Sequence, residues 1–352
     1  MAGAEPPDRS KLVAIWLFST AAVVFGLVVV GGATRLTGSG LSITEWKPLM
    51  GVIPPLGDHG WTVEFQKYQA TTQYLDVNSG MTLAAFKSIY WWEWTHRLLG
   101  RLVGVVFAGP LLAFLALRRI PSRLVVRCFI LLGLGGLQGL VGWWMVESGL
   151  EGRVSVAPER LATHLGLALI LYAALIWTGL EAWSGPPPAA HARRASIWRW
   201  AAPLLAVLVY VQCLLGALVA GNQAGLIDND WPLMNGRVFP FDYWIGGVGQ
   251  SLLHSQAAVQ FNHRLMGYTV AALALALAVV ALRSTPNPAE RSKNGQLQML
   301  VFLVAALVIA QAGLGIMTLM AQAPLPLSQT HQALATIVLG AAVVLAWRGR
   351  RA

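Results

Sequence analysis

The stretch EWTHRLLG, Glu93–Gly100, returns as QFNHRLMG at Gln260–Gly267. Each copy sets a histidine before an arginine, and a second histidine, inside a Thr-His pair, follows 68 positions later: His164 after His96 and His331 after His263. Equivalent histidines are 167 positions apart. Other blocks recur in the same order. GLSITEWKPLMG (Gly40–Gly51) resembles GLIDNDWPLMNG (Gly225–Gly236), and QGLVG (Gln138–Gly142) resembles QAGLG (Gln311–Gly315). Self-similarity that keeps its order along the chain marks a duplicated structural unit.

The environment of these blocks is apolar. The 352 residues are 56% hydrophobic and 11% charged, whereas soluble domains carry about 25% charge. Apolar runs near 20 residues span a bilayer core as helices. Eight such runs are expected, at about 12–34, 91–117, 124–147, 159–182, 199–221, 256–282, 297–320 and 327–347. The fold class is therefore all-α: an integral membrane protein of two pseudo-symmetric four-helix bundles. The expected division is 1–182 for the first bundle, 183–198 for a linker and 199–352 for the second. Each unit has an even number of spans, so both copies share one orientation, a parallel repeat unlike the inverted repeats of many transporters.

The net charge of +10 raises the question of nucleic acid, but its distribution argues for a topology signal instead. Arg118, Arg119, Arg123, Arg127, Arg193, Arg194, Arg283, Arg348 and Arg350 fall at one set of helix ends, and most acids, including Glu45, Glu64, Asp228 and Asp230, fall in the opposite loops. By the positive-inside rule both termini face the cytoplasm. The segment GPPPAAHARRAS, Gly185–Ser196, reads as an exposed linker on that side. The start MAGAEPPDRS carries no cleavable signal pattern, so span one is expected to remain in the mature chain. Cys128 and Cys213 fall in spans, away from the outer loops, and read as small buried hydrophobes.

This topology puts His96, His164, His263 and His331 in the early turns of the even-numbered spans, near the outer surface, two per repeat. A haem with two imidazole ligands needs one from each side of the porphyrin, supplied by facing helices. Zinc fits less well, because each pair lacks a third and fourth ligand. His59, His191 and His254 have no repeat counterpart and read as loop or interface residues. One position separates the repeats: Glu93 stands three residues before His96, and Gln260 three before His263. A carboxylate beside a haem site can take protons or stabilise a developing cation, while glutamine only hydrogen-bonds. Glu93 also has a plainer reading, an ion pair with Arg97 one turn along the helix. Arg97 and Arg264 can pair with haem propionates or reach to headgroups. Trp91, Trp92, Trp94, Trp143, Trp144 and Trp244 read mostly as an interfacial belt, and Gln138, Gln212 and Gln311 as bonds between helices.

Together, GGATRLTGSGLSITEWKPLMGVIPP, the Glu93–Arg97 block, the Asn-His-Arg block at Asn262–Arg264 and the Thr-His pairs at His164 and His331 resemble haem A synthase over essentially the whole chain. The resemblance implies an enzyme that oxidises the ring D methyl of haem O to the formyl group of haem A, for cytochrome oxidase assembly. It implies haem B as cofactor on His263 and His331, with Arg264 beside it. It implies haem O as substrate between His96 and His164, with Arg97 beside it and Glu93 as the catalytic carboxylate. The implied partners are the farnesyltransferase that makes haem O, cytochrome oxidase assembly factors, membrane lipid and a second copy of the chain, with no nucleic acid. The outer-loop cysteine pair of one form of the family is missing, so the chain is similar to the form of proteobacteria and mitochondria. The expected location is a bacterial inner membrane, and the span topology puts the sites toward the periplasm. A diheme b-type cytochrome acting only in electron transfer is the alternative that the histidine pattern leaves open.

Overall fold

The computed structural model describes residues 7–150, 152–185, 197–283 and 291–351. Its order is α1 (Pro7–Leu36), α2 (Gly57–Gln69), α3 (Thr72–Asp76), α4 (Leu83–Ala116), α5 (Ser122–Leu150), α6 (Pro158–Ser184), α7 (Trp198–Gly221), α8 (Val248–Leu253), α9 (Gln256–Arg283), α10 (Arg291–Met320) and α11 (Leu325–Gly349). Eight of these, α1, α4, α5, α6, α7, α9, α10 and α11, are long and apolar enough to cross a membrane. The protein is an all-α integral membrane protein. Of the linker expected over 183–198, residues 186–196 lie outside the described residues, and with them His191, Arg193 and Arg194.

Helix packing follows from where the apolar side chains point. Val13 and Leu17 of α1, Phe107 and Leu111 of α4, Leu124 and Leu131 of α5 and Leu175 of α6 share one buried core. Leu205 and Val209 of α7, Val270 and Leu277 of α9, Val304 and Val308 of α10 and Val338 and Leu339 of α11 share another. Helix α6 also packs on α7 and α11, and α1 packs on α11, joining the two sets. Small residues permit that approach, as is usual between helices in lipid. A β-carbon on Gly340 of α11 would stand 2.7 Å from the Tyr172 hydroxyl of α6. The outward faces keep large apolar side chains exposed, such as Val105, Leu112, Val126, Leu282 and Met299. In water such faces would aggregate; in a bilayer they are the solvated surface.

One boundary differs clearly from the sequence reading: between the first two expected spans the chain forms α2 and α3, and α4 begins at Leu83 instead of near 91. The cause is tertiary. Trp61 and Tyr68 of α2 close on Phe86 and Tyr90 of α4 in a buried aromatic cluster, so the helix gains packing partners beyond the apolar span. Thr82 caps it by accepting from the Ala85 amide. Tyr68 donates to Gln73, whose amide in turn donates to the Gly38 carbonyl, tying this cap to the end of α1. The matching segment 222–255 has a short 3-10 turn at Ala224–Leu226 and α8. The two halves also differ from each other in packing. Helix α4, which carries His96, packs more sparsely on α5 than α9 packs on α10.

Candidate functional site

Each of the four histidines rests on a glycine of the preceding span. A β-carbon on Gly31 would approach His96 Nε2 to 2.9 Å, on Gly142 His164 Cε1 to 2.8 Å, on Gly216 His263 Cε1 to 3.2 Å, and on Gly315 His331 Cε1 to 2.8 Å. At Gly31, Gly142 and Gly315 a β-carbon would force the ring to shift, and at Gly216 it would be tight. His164, His263 and His331 lie in the second turn of α6, α9 and α11. His96 lies in the fourth turn of α4, because that helix extends outward.

The rings of His263 and His331 are 6.4 Å apart, centre to centre, with planes at 81°. Two metal–imidazole bonds of about 2 Å each, plus roughly 1 Å from each nitrogen to its ring centre, put two ligands of one metal about 6 Å apart. The separation of the second pair is close to that length. His96 and His164 lie within electrostatic reach of each other. Among the described residues no group of three or more His, Cys, Asp or Glu gathers, so the donor sets are pairs. Pairs suit a haem iron, whose porphyrin supplies the other ligands, better than a structural zinc.

Three glutamines, expected to bond between helices, do so onto these histidines. The Gln138 amide donates to the His164 carbonyl at 3.0 Å and lies 3.2 Å from Nδ1. Gln311 repeats this on His331, at 2.9 and 3.0 Å, and Gln212 on His263, at 3.1 Å from the carbonyl and 3.3 Å from Nε2. Each glutamine leaves its Oε1 buried without a hydrogen-bond partner among the described residues, as His263 leaves Nδ1. Orphaned buried acceptors are costly, and they fit a site shaped around a further polar group. The sequence signal is a glutamine four residues before the glycine that meets the ring.

Glu93 is buried, and both its oxygens are bound. Oε2 accepts from the Ser42 hydroxyl at 2.7 Å and the Ile43 amide at 2.8 Å; Oε1 accepts from Arg97 Nε at 3.1 Å and from its NH2 group at 2.6 Å. Four donors match a carboxylate, which only accepts, and a buried charge left without such partners would cost about 3–5 kcal/mol. Gln260 sits in the matching place with reversed polarity: its amide donates to the Ala224 and Ile227 carbonyls, both at 2.7 Å, and its oxygen accepts from Arg264 at 2.9 Å. The arginines do the same job in both halves. Arg97 donates to the carbonyls of Ile43 and Glu45, and Arg264 to those of Asp228 and Asp230. Most of the guanidinium donors, for which propionates and headgroups were both open, go to carbonyls of the outer loops. Trp143 meets Trp46 edge to face at 5.3 Å, and Trp144 lies under the Arg160 guanidinium, so both contribute to local packing at the outer rim.

The fold and site define a class: a multi-pass helical membrane protein with paired, glycine-seated histidines in two related sets. The chain matches a family model described as cytochrome oxidase assembly protein (COX15-CtaA) over residues 14–343. It is 57% identical to the haem A synthase of Caulobacter vibrioides over 345 residues, which cover 98% of each chain. It is 47% identical to that of Maricaulis maris, again over 98% of each, and 48% identical to that of Mesorhizobium japonicum, over 97% of this chain and 91% of the other. The chain belongs to the haem A synthase family.

Proposed function

We propose that this protein is a haem A synthase of a bacterial inner membrane, oxidising the ring D methyl of haem O to a formyl group for cytochrome oxidase assembly. The observation that carries the reading is the 6.4 Å separation of the His263 and His331 rings, within a chain of that family. The proposal divides the chain at the linker into two four-helix units, residues 1–182 and 199–352, with both termini cytoplasmic and both sites toward the periplasm. His263 and His331 hold a resident haem B, which when bound supplies an electron-transfer partner. His96 and His164 hold the substrate haem, and its prenyl tail lies among apolar spans.

Glu93 is the catalytic carboxylate in this reading, and its four donors narrow the role. A carboxylate held by four donors cannot turn its oxygens freely. It is a fixed negative charge three residues from a ligand, already oriented for charge that develops at the substrate. Arg97 locks that carboxylate and, with it, the loop that covers the site. Water exclusion falls to the outer cap of α2, α3 and the top of α4.

Pigment extraction tests the reading. Membranes given a haem O source and wild-type protein should yield haem A, and the purified protein should carry haem B. Glu93→Ala should retain haem B and lose haem A formation. A protein that carries only haem B and leaves haem O unchanged would be the diheme electron carrier instead.

A further inference from the structure

The four histidine seats are not equivalent. Gln138, Gln212 and Gln311 each stand four residues before the seat glycines Gly142, Gly216 and Gly315. The position four before Gly31 is Leu27. The register is fixed from two sides: Gly31 and Gly216 meet equivalent histidines, and both they and the repeat starts Gly40 and Gly225 are 185 positions apart. Leu27 is therefore the counterpart of Gln212, and it has no amide to offer.

The consequence is visible at the ring. A glutamine amide that holds both the main-chain carbonyl and the ring edge of one histidine limits rotation of that side chain. His164 and His331 are held at the carbonyl and nearest Nδ1, and His263 at the carbonyl and Nε2. The His96 ring nitrogens have no hydrogen-bond partner among the described residues; the ring is located by its contact with Gly31. Its helix, α4, is also the one that packs sparsely on its neighbour α5.

We propose that Gln138, Gln212 and Gln311 are positioning residues that fix three haem ligands, and that Leu27 leaves His96 as the one ligand free to release. The proposal rests on the haem reading above. It explains how one fold serves two needs: a resident haem must stay, whereas a substrate haem must enter and its product must leave. The releasing contact is on the substrate side, and one side chain decides it.

Full-length protein in detergent, loaded at both sites, tests this through haem loss to excess apomyoglobin and through the low-spin ferric resonance. Outer-shell partners of a ligating histidine are worth about 10–100-fold in affinity. Wild type should lose haem from the first site at least about tenfold faster than from the second. Leu27→Gln, close to Leu in size, should slow that loss about tenfold and keep the low-spin signal. Gln212→Leu should speed loss from the second site about tenfold, and Gln311→Met gives the same readout should Gln212→Leu not accumulate. Release rates within twofold of wild type in the Leu27 variant and in either glutamine variant would overturn the proposal. Failure of the haem reading looks different: His331→Ala would then keep its full haem content and an unchanged resonance.

Discussion

Glu93 and Gln260 occupy matching places and differ by one side-chain group, yet the loops around them are wired in opposite senses. At Glu93 the loop turns its donors inward, the Ser42 hydroxyl and Ile43 amide. At Gln260 it turns two carbonyls inward, those of Ala224 and Ile227. The arginine that follows serves both as a clasp on loop carbonyls. The lesson is that duplication preserved the mechanical part of the site while the electrical part diverged. A charge is built into the first half, and a neutral amide into the second.

Exchange of the two residues gives the largest expected effect. Glu93→Gln would place an amide against donors that need an acceptor, and conversion of haem O should fall by about 10²–10³. Gln260→Glu would set a carboxylate against two carbonyls and should cost about 1–3 kcal/mol of stability, with conversion much less affected. Haem A yield and thermal unfolding of the two variants decide this; equal losses of conversion would erase the distinction between the halves.

The glycine seats come next. Gly315→Ala would push a methyl to 2.8 Å from His331 Cε1, and Gly216→Ala to 3.2 Å from His263. Gly315→Ala should therefore lose most resident haem and Gly216→Ala a smaller share, by absorbance of purified protein. In the first half Gly142→Ala should weaken retention of substrate haem, leaving the resident haem in place.

A smaller effect separates the clasps. Arg97→Lys and Arg264→Lys replace a planar fork by a single point donor, so hydrogen exchange should rise at Ile43–Glu45 in one and at Asp228–Asp230 in the other. No change at the matching loop in either variant would contradict the clasp.

The smallest effect concerns Glu45 and its counterpart Asp230. Hydrogen bonds from Lys47 and then Lys67 lower the Glu45 pKa from its ordinary value; backbone amides of Gly236 and Asn235 lower that of Asp230. A depressed carboxyl stabilises fully above its unfolded value, about 4, and loses that contribution as pH falls through the lower folded value. Both loops should loosen only below about pH 4. Added salt should loosen the first alone, because screening acts on the exposed lysine pairs and hardly on amide bonds. Proteolysis rates of the two loops, with and without salt, check it.

How much of this was legible in the sequence depends on whether the cause was local. The eight spans follow from runs of apolar residues, and the histidine quartet from its repeat spacing. Helices α2 and α3 were not legible, since their stability comes from Trp61 and Tyr68 meeting Phe86 and Tyr90 across the chain. The role of the glutamines was half visible. QGLVG and QAGLG pair in the repeat, but Gln212 precedes Gly216 outside any matched block, and only the fold brings all three onto histidines. The charge pairing of Glu93 with Arg97 follows from their spacing, whereas the Ser42 and Ile43 donors needed the loop in three dimensions.

The most direct measurement is the low-temperature electron paramagnetic resonance of purified protein, with haem analysis, across the four single histidine-to-alanine variants. The account predicts two low-spin sites: His263→Ala and His331→Ala each abolish the resident signal, and His96→Ala and His164→Ala leave it intact while disturbing the substrate site. A resident signal that survives loss of His263 or His331, or that disappears with His96 alone, would contradict it.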